Sequence, residues 1–68
     1  MKTAYVVKKD GRYLVDCDVV SSDNYTEDID EAGIIETEFD AEDTVATGKI
    51  EGITGEVVVK VTIEIKEA

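Results

Sequence analysis

Glu56-Val57-Val58-Val59-Lys60-Val61-Thr62-Ile63-Glu64-Ile65-Lys66 is the stretch on which the fold turns. Val57, Val59, Val61, Ile63 and Ile65 alternate with Glu56, Val58, Lys60, Thr62, Glu64 and Lys66, the period of a strand with one apolar face. Its β-branched residues are stiff at the first side-chain torsion and suit a pleated surface. Immediately upstream, Gly52-Ile53-Thr54-Gly55 reads as a hairpin turn. That turn sets Ile50 across from Val57, Gly48 from Val59 and Ala46 from Val61, which gathers apolar and small residues on one face. The expectation is a hairpin over 44–66.

A second hairpin is expected over 2–20. Lys9-Asp10-Gly11 suits a three-residue loop with glycine in the left-handed conformation, pairing Lys8 with Arg12, Val7 with Tyr13 and Tyr5 with Val15. A two-residue Asp10-Gly11 loop is the alternative, but it sets Tyr5 and Val7 against Asp16 and Asp18. The first register also carries Cys17 and Val19 to the inner face, where a free thiol behaves as a small hydrophobe. Between the hairpins, over 21–43, Ser21-Ser22-Asp23-Asn24 marks a loop and Thr26 caps a helical turn near 27–32. Gly33 to Asp40 reads as a third strand, with Ile35, Thr37 and Phe39 inward and Glu36, Glu38 and Asp40 outward. The expected fold is mainly β, about five antiparallel strands in a small barrel or curved sheet. Tyr5, Tyr13 and Phe39 belong to its core, and Tyr25, in polar surroundings, is the aromatic expected to be exposed.

The chain has 68 residues, so it forms one small domain, which buries only about 60% of the surface its unfolded chain exposes. Its core alone supplies roughly 3–5 kcal/mol. Seven basic residues against seventeen acidic ones give a net charge of −10, whose self-repulsion lowers that margin at low salt. A homodimer interface, a bound cation or a partner is therefore expected to help. The single cysteine forms no intrachain disulfide, and without histidine the Cys/His zinc patterns are absent. No apolar run reaches membrane-spanning length, so a cytoplasmic protein is expected.

The charge is local. From Tyr13 to Gly48 there are twelve acidic residues and no Lys or Arg. Asp28, Asp30, Glu31, Glu36, Glu38, Asp40, Glu42 and Asp43 concentrate there. On a strand, Glu36, Glu38 and Asp40 stand about 6.5–7 Å apart, of the order of successive phosphates along a nucleic-acid strand. Such a row fits the Lys/Arg channel of a nucleic-acid-binding protein. Direct binding to nucleic acid or anionic lipid is disfavoured by the same charge. With Tyr25 as an anchor, these eight acids form the candidate partner-binding set.

Catalysis finds little support, since there is no histidine base and Ser21 and Ser22 lack an activating partner. Asp28 to Phe39 overlaps an EF-hand loop at its first, third, sixth and eighth positions. It fails at the fifth, Ala32, and at the twelfth, Phe39, where a bidentate Glu belongs. No metal or other cofactor is expected. In size and charge the chain resembles the short acidic inhibitors that phages and mobile elements direct against restriction, CRISPR or DNA-repair enzymes. That resemblance implies a nucleic-acid mimic that blocks a basic protein surface. The alternative is a self-associating structural β module whose acids serve only solubility.

Overall fold

The computed structural model describes residues 1–16, 23–65 and 67. Its elements in chain order are β1 (Lys2–Lys9), β2 (Arg12–Leu14), β3 (Tyr25–Thr26), a 3-10 turn (Ile29–Glu31), helix α1 (Glu38–Ile50) and β4 (Val57–Ile63). The four strands form one open antiparallel sheet in the order β3-β2-β1-β4. The protein is thus mainly β, as its composition suggests, but the described residues form four strands rather than five, in a sheet that is not closed into a barrel.

β1 lies inside the sheet, between β2 and β4. Ala4-Tyr5-Val6-Val7 is apolar at consecutive positions, so both faces of the strand need cover. Ala4, Val6 and Val7 are fully buried and Tyr5 is half-buried. The first hairpin forms, but with the two-residue loop: Lys9 pairs with Arg12 and Lys8 with Tyr13. Asp10 and Gly11 have φ of 51° and 79°, the doubly left-handed geometry whose twist matches that of paired strands. The conflict of Tyr5 with Asp16 does not arise, because β2 ends at Leu14. Opposite Tyr5 the place of β2 is taken by Ile35, which exchanges two backbone hydrogen bonds with Tyr5 at 2.8 and 2.9 Å. The assignments of Cys17, Asp18 and Val19 to faces, and of Ser21 and Ser22 to a loop, lie outside the described residues.

The larger correction concerns 38–50, which is helix and not strand. Thr37 is its N-cap, with Oγ1 accepting from the Asp40 N–H at 3.1 Å. Glu38 and Asp40 in the first turn and Lys49 in the last complement the helix dipole. The helix ends in a Schellman motif: Gly52 N–H donates to the Lys49 carbonyl at 3.1 Å and Ile53 N–H to the Gly48 carbonyl at 2.8 Å. Gly52, at φ 87°, is the left-handed residue this motif requires. The hydroxyls of Thr44 and Thr47 donate to the carbonyls of Asp40 and Asp43, both at 3.0 Å, which lets β-branched residues sit in a helix with their polar atoms satisfied.

Gly52-Ile53-Thr54-Gly55 is therefore a helix-to-strand connection. β4 does not pair with the segment before it but crosses to β1, from Lys2 opposite Ile63 to Lys8 opposite Val57. The face of the sheet under α1 carries Val7, Leu14 and Val58, which meet Ile35, Ala41 and Val45 in the core, with Tyr5 and Tyr25 beside them. Val58 thus belongs to the core face that the alternation had given to Val57, and Val57 is exposed. Glu56, expected on the outer face, is buried.

The expected helical turn near 27–32 is present as the 3-10 turn. Asp28 caps it, its Oδ1 accepting from the Asp30 N–H at 2.9 Å. Thr26 instead accepts from the Asp28 N–H at 3.1 Å, one step before the cap.

Candidate functional site

α1 turns toward the core a narrow seam of small residues at helical spacing, Ala41 and Gly48 buried and Val45 half-buried. This seam turns its large apolar residues outward. Phe39, Asp43, Ala46 and Ile50 follow the i, i+4, i+7, i+11 spacing of one helix face. Phe39 is 79% and Ile50 85% exposed. Glu38, Asp40 and Glu42 flank this ridge and are themselves exposed. On a helix, residues three or four apart lie about 5–6 Å from each other at Cβ, so Asp40 and Asp43, or Glu38 and Glu42, are neighbours.

The strand row of Glu36, Glu38 and Asp40 is not formed. Glu36 lies in the loop before α1 and pairs with Lys2 Nζ at 3.2 Å. Glu38 and Asp40 occupy the first turn of α1, on different sides of the helix. Asp28, Asp30 and Glu31 form a separate exposed group on the 3-10 turn. All eight predicted acids are exposed: Asp28, Asp30 and Glu31 at the 3-10 turn, Glu36 in the loop, and Glu38, Asp40, Glu42 and Asp43 on α1. Among the described residues, no three acidic or Cys side chains come together in a way that could hold a metal ion. Within the same set Glu31, Glu38, Glu42 and Asp43 make no ion pair, so their charge is directed at solvent.

Tyr25 and Phe39 have exchanged the roles expected of them. Tyr25, expected to be exposed, lies half-buried in β3 against the core, and its hydroxyl donates to Glu56 Oε2 at 2.7 Å. Burial, the hydrogen bond and the charge of Glu56 all raise the Tyr25 phenol well above its ordinary value. The other oxygen of Glu56, Oε1, is buried with no hydrogen-bond partner among the described residues, and the residue is only 8% exposed. Phe39, expected in the core, is the aromatic that faces solvent. With 38–50 helical and Thr37 as its cap, Ala41, Val45 and Gly48 turn toward the core and position 39 falls outside that seam.

Basic residues gather elsewhere. Lys8, Lys9 and Arg12 cluster at the β1–β2 hairpin, where Lys8 Nζ lies 5.6 Å above the Tyr13 ring and Arg12 pairs with Glu27 at 3.5 Å. Both described ion pairs are largely solvent-exposed and contribute little to stability. Among the described residues no helix is long and apolar enough to cross a membrane.

The fold and its surface define a small, open antiparallel sheet covered by one acid-rimmed helix. Comparison with protein families, with characterised proteins and with solved structures finds no match for this chain.

Proposed function

We propose that the chain is a binding protein whose α1 face docks on a basic, nucleic-acid-binding surface of another protein and blocks it without catalysis. One observation carries this reading: two large apolar side chains, Phe39 and Ile50, stand exposed on one helix face amid Glu38, Asp40, Glu42 and Asp43. An apolar anchor ringed by charge is the anatomy of a protein interface, where central aromatics supply affinity and rim charges supply steering and register. The sign of the rim selects a Lys/Arg-rich partner. Carboxylates spaced about 5–6 Å apart along the helix compete with phosphates for such a surface through the same electrostatics. A target of this kind sets the site of action in the cytoplasm.

Affinity capture on immobilised full-length chain, at low and high salt, tests the reading when run beside Phe39→Ala and Asp40→Lys/Asp43→Lys. The expected captured protein is basic, is released by salt and by duplex DNA, and is lost with both variants. Capture that is unchanged by the variants, or that duplex DNA does not compete, would overturn it.

A further inference from the structure

β4 is one edge of the sheet, and among the described residues no strand pairs with its outer side. The strand has seven residues, six of them β-branched, and no proline. A long, β-branched edge of this kind is a template for another strand.

Its backbone polarity follows from the bonds already formed. Tyr5 directs its N–H and carbonyl toward Ile35, away from β4. Lys60, opposite Tyr5, therefore turns its own N–H and carbonyl to the free edge, and so, by alternation, do Val58 and Thr62. The side chains of the same series share the face of Val58 and α1. Val59, Val61 and Ile63 point to the other face.

We infer that a second copy of this chain occupies the edge, antiparallel and two-fold symmetric, with Thr62 opposite Thr62. The pattern of charges selects this register among those the backbone permits. Centring on Lys60 opposes two lysines, which is unfavourable, and centring on Ile63 sets Glu64 opposite uncharged Thr62. Centring on Val61 leaves Lys60 and Glu64 facing uncharged residues. Centring on Thr62 sets Lys60 of each copy across from Glu64 of the other, and pairs Val61 with Ile63 and Val59 with Ile65. The apolar face then runs across the junction. It joins the open groove of about 380 Å³ that Val6, Ile29, Ile34, Val61 and Ile63 help to line. Ile65 at 69%, Ile34 at 50% and Ile29 at 47% exposure are the residues left uncovered beside it.

Charge also decides which surface meets a second copy. Residues 57–65 carry one Lys and one Glu and are neutral, whereas two α1 faces would repel. Each copy still brings a net −10, so the dimer tightens as salt screens that repulsion. Salt weakens the docking of α1 on a basic surface, so the two interfaces are told apart by the sign of their salt dependence.

Sedimentation equilibrium on the full chain, across concentration and at low and high salt, tests the inference. The expected result is a monomer–dimer equilibrium that shifts toward dimer with salt. Lys60→Glu and Glu64→Lys each weaken the dimer roughly tenfold, since each sets like charges opposite each other at two symmetric places. The double exchange Lys60→Glu/Glu64→Lys restores it. Thr62→Pro removes an outward N–H at the two-fold axis while leaving the bonds to β1 intact, and it abolishes the dimer with the far-ultraviolet dichroism unchanged. A monomer at every concentration and salt, a dimer indifferent to Thr62→Pro, or single variants that the exchange does not rescue would overturn the inference.

Discussion

Removing one hydroxyl, in Tyr25→Phe, isolates the least comfortable group in the protein. Glu56 is 8% exposed; among the described residues its Oε2 accepts from the Tyr25 hydroxyl at 2.7 Å, while Oε1 has no hydrogen-bond partner. An O–H···O⁻ contact this short is in the range of charge-assisted bonds. A hydrogen bond to a charged group is worth about 1.5–3 kcal/mol, and breaking this one leaves both oxygens of a buried carboxylate without a protein partner. Because Tyr25 is itself half-buried, a value near 2 kcal/mol is expected. For a domain with roughly 3–5 kcal/mol of core stability that is a large fraction, and it corresponds to a fall of about 8–16 °C in Tm. Urea denaturation followed by far-ultraviolet circular dichroism measures it, with the midpoint moving down by about 2 M for a slope near 1 kcal/mol/M. The double variant Tyr25→Phe/Glu56→Met removes both polar groups and is expected to recover most of the loss, since an apolar pair of similar volume carries no desolvation cost. A loss below about 0.5 kcal/mol in Tyr25→Phe, or a double variant less stable than that single one, would refute the reasoning.

Other expectations follow from the same structure. The raised Tyr25 phenol keeps its proton in the folded chain while the unfolded chain ionises near its ordinary pKa of about 10. Its contribution to stability is therefore complete below pH ~10 and declines above it, so the gap between wild type and Tyr25→Phe narrows as pH rises past 10 in pH-dependent urea titrations. Thr37→Ala deletes the cap on Asp40 N–H and is expected to cost about 1 kcal/mol with a loss of helical dichroism at 222 nm. Gly52→Ala meets nothing within 4 Å, so its cost is the left-handed backbone alone, about 1–2 kcal/mol in the same melts. Phe39→Ser, at a site 79% exposed, is expected to change the urea midpoint by less than its experimental scatter while abolishing partner capture.

The sequence made the strands legible where burial acts on consecutive residues and misled where one glycine serves two motifs. Ala4-Tyr5-Val6-Val7 marks a strand covered on both faces, and the alternation of β4 marks a strand, but neither says which strand it pairs with. Gly52 needs a positive φ in a hairpin and equally in a Schellman cap. What separates the two lies upstream, in the Thr37-x-x-Asp40 cap, the acidic first turn and Lys49 in the last, against the β-branched content of Thr44, Val45, Thr47 and Ile50. Helix propensity lost that comparison on the page and won it in the fold, because back-bonded threonines and a seam of small residues let α1 pack closely on Val7 and Val58. The acids of the candidate site were visible from composition, since charge needs no secondary structure to be exposed. The apolar anchor was not, because reading 33–40 as a strand turns Phe39 inward, and reading 38–50 as a helix turns it outward.

The helix therefore reshapes the meaning of the acidic segment. Glu38 and Asp40 have a local reason to be acidic, the N-terminal end of α1, whereas Glu42 and Asp43 lie beyond the first turn, where the dipole offers little. Asp43, between Phe39 and Ala46 on the exposed ridge, is thus the cleaner reporter of partner binding. Reversing it leaves the cap and dipole intact and changes only the rim. If Asp43→Lys weakens capture of the basic partner and flattens its salt dependence while the urea midpoint stays put, charge at this position serves recognition. If capture and its salt slope are unchanged, the exposed acids of α1 act only on helix stability and solubility, and the β4 edge is left as the interaction surface of the chain.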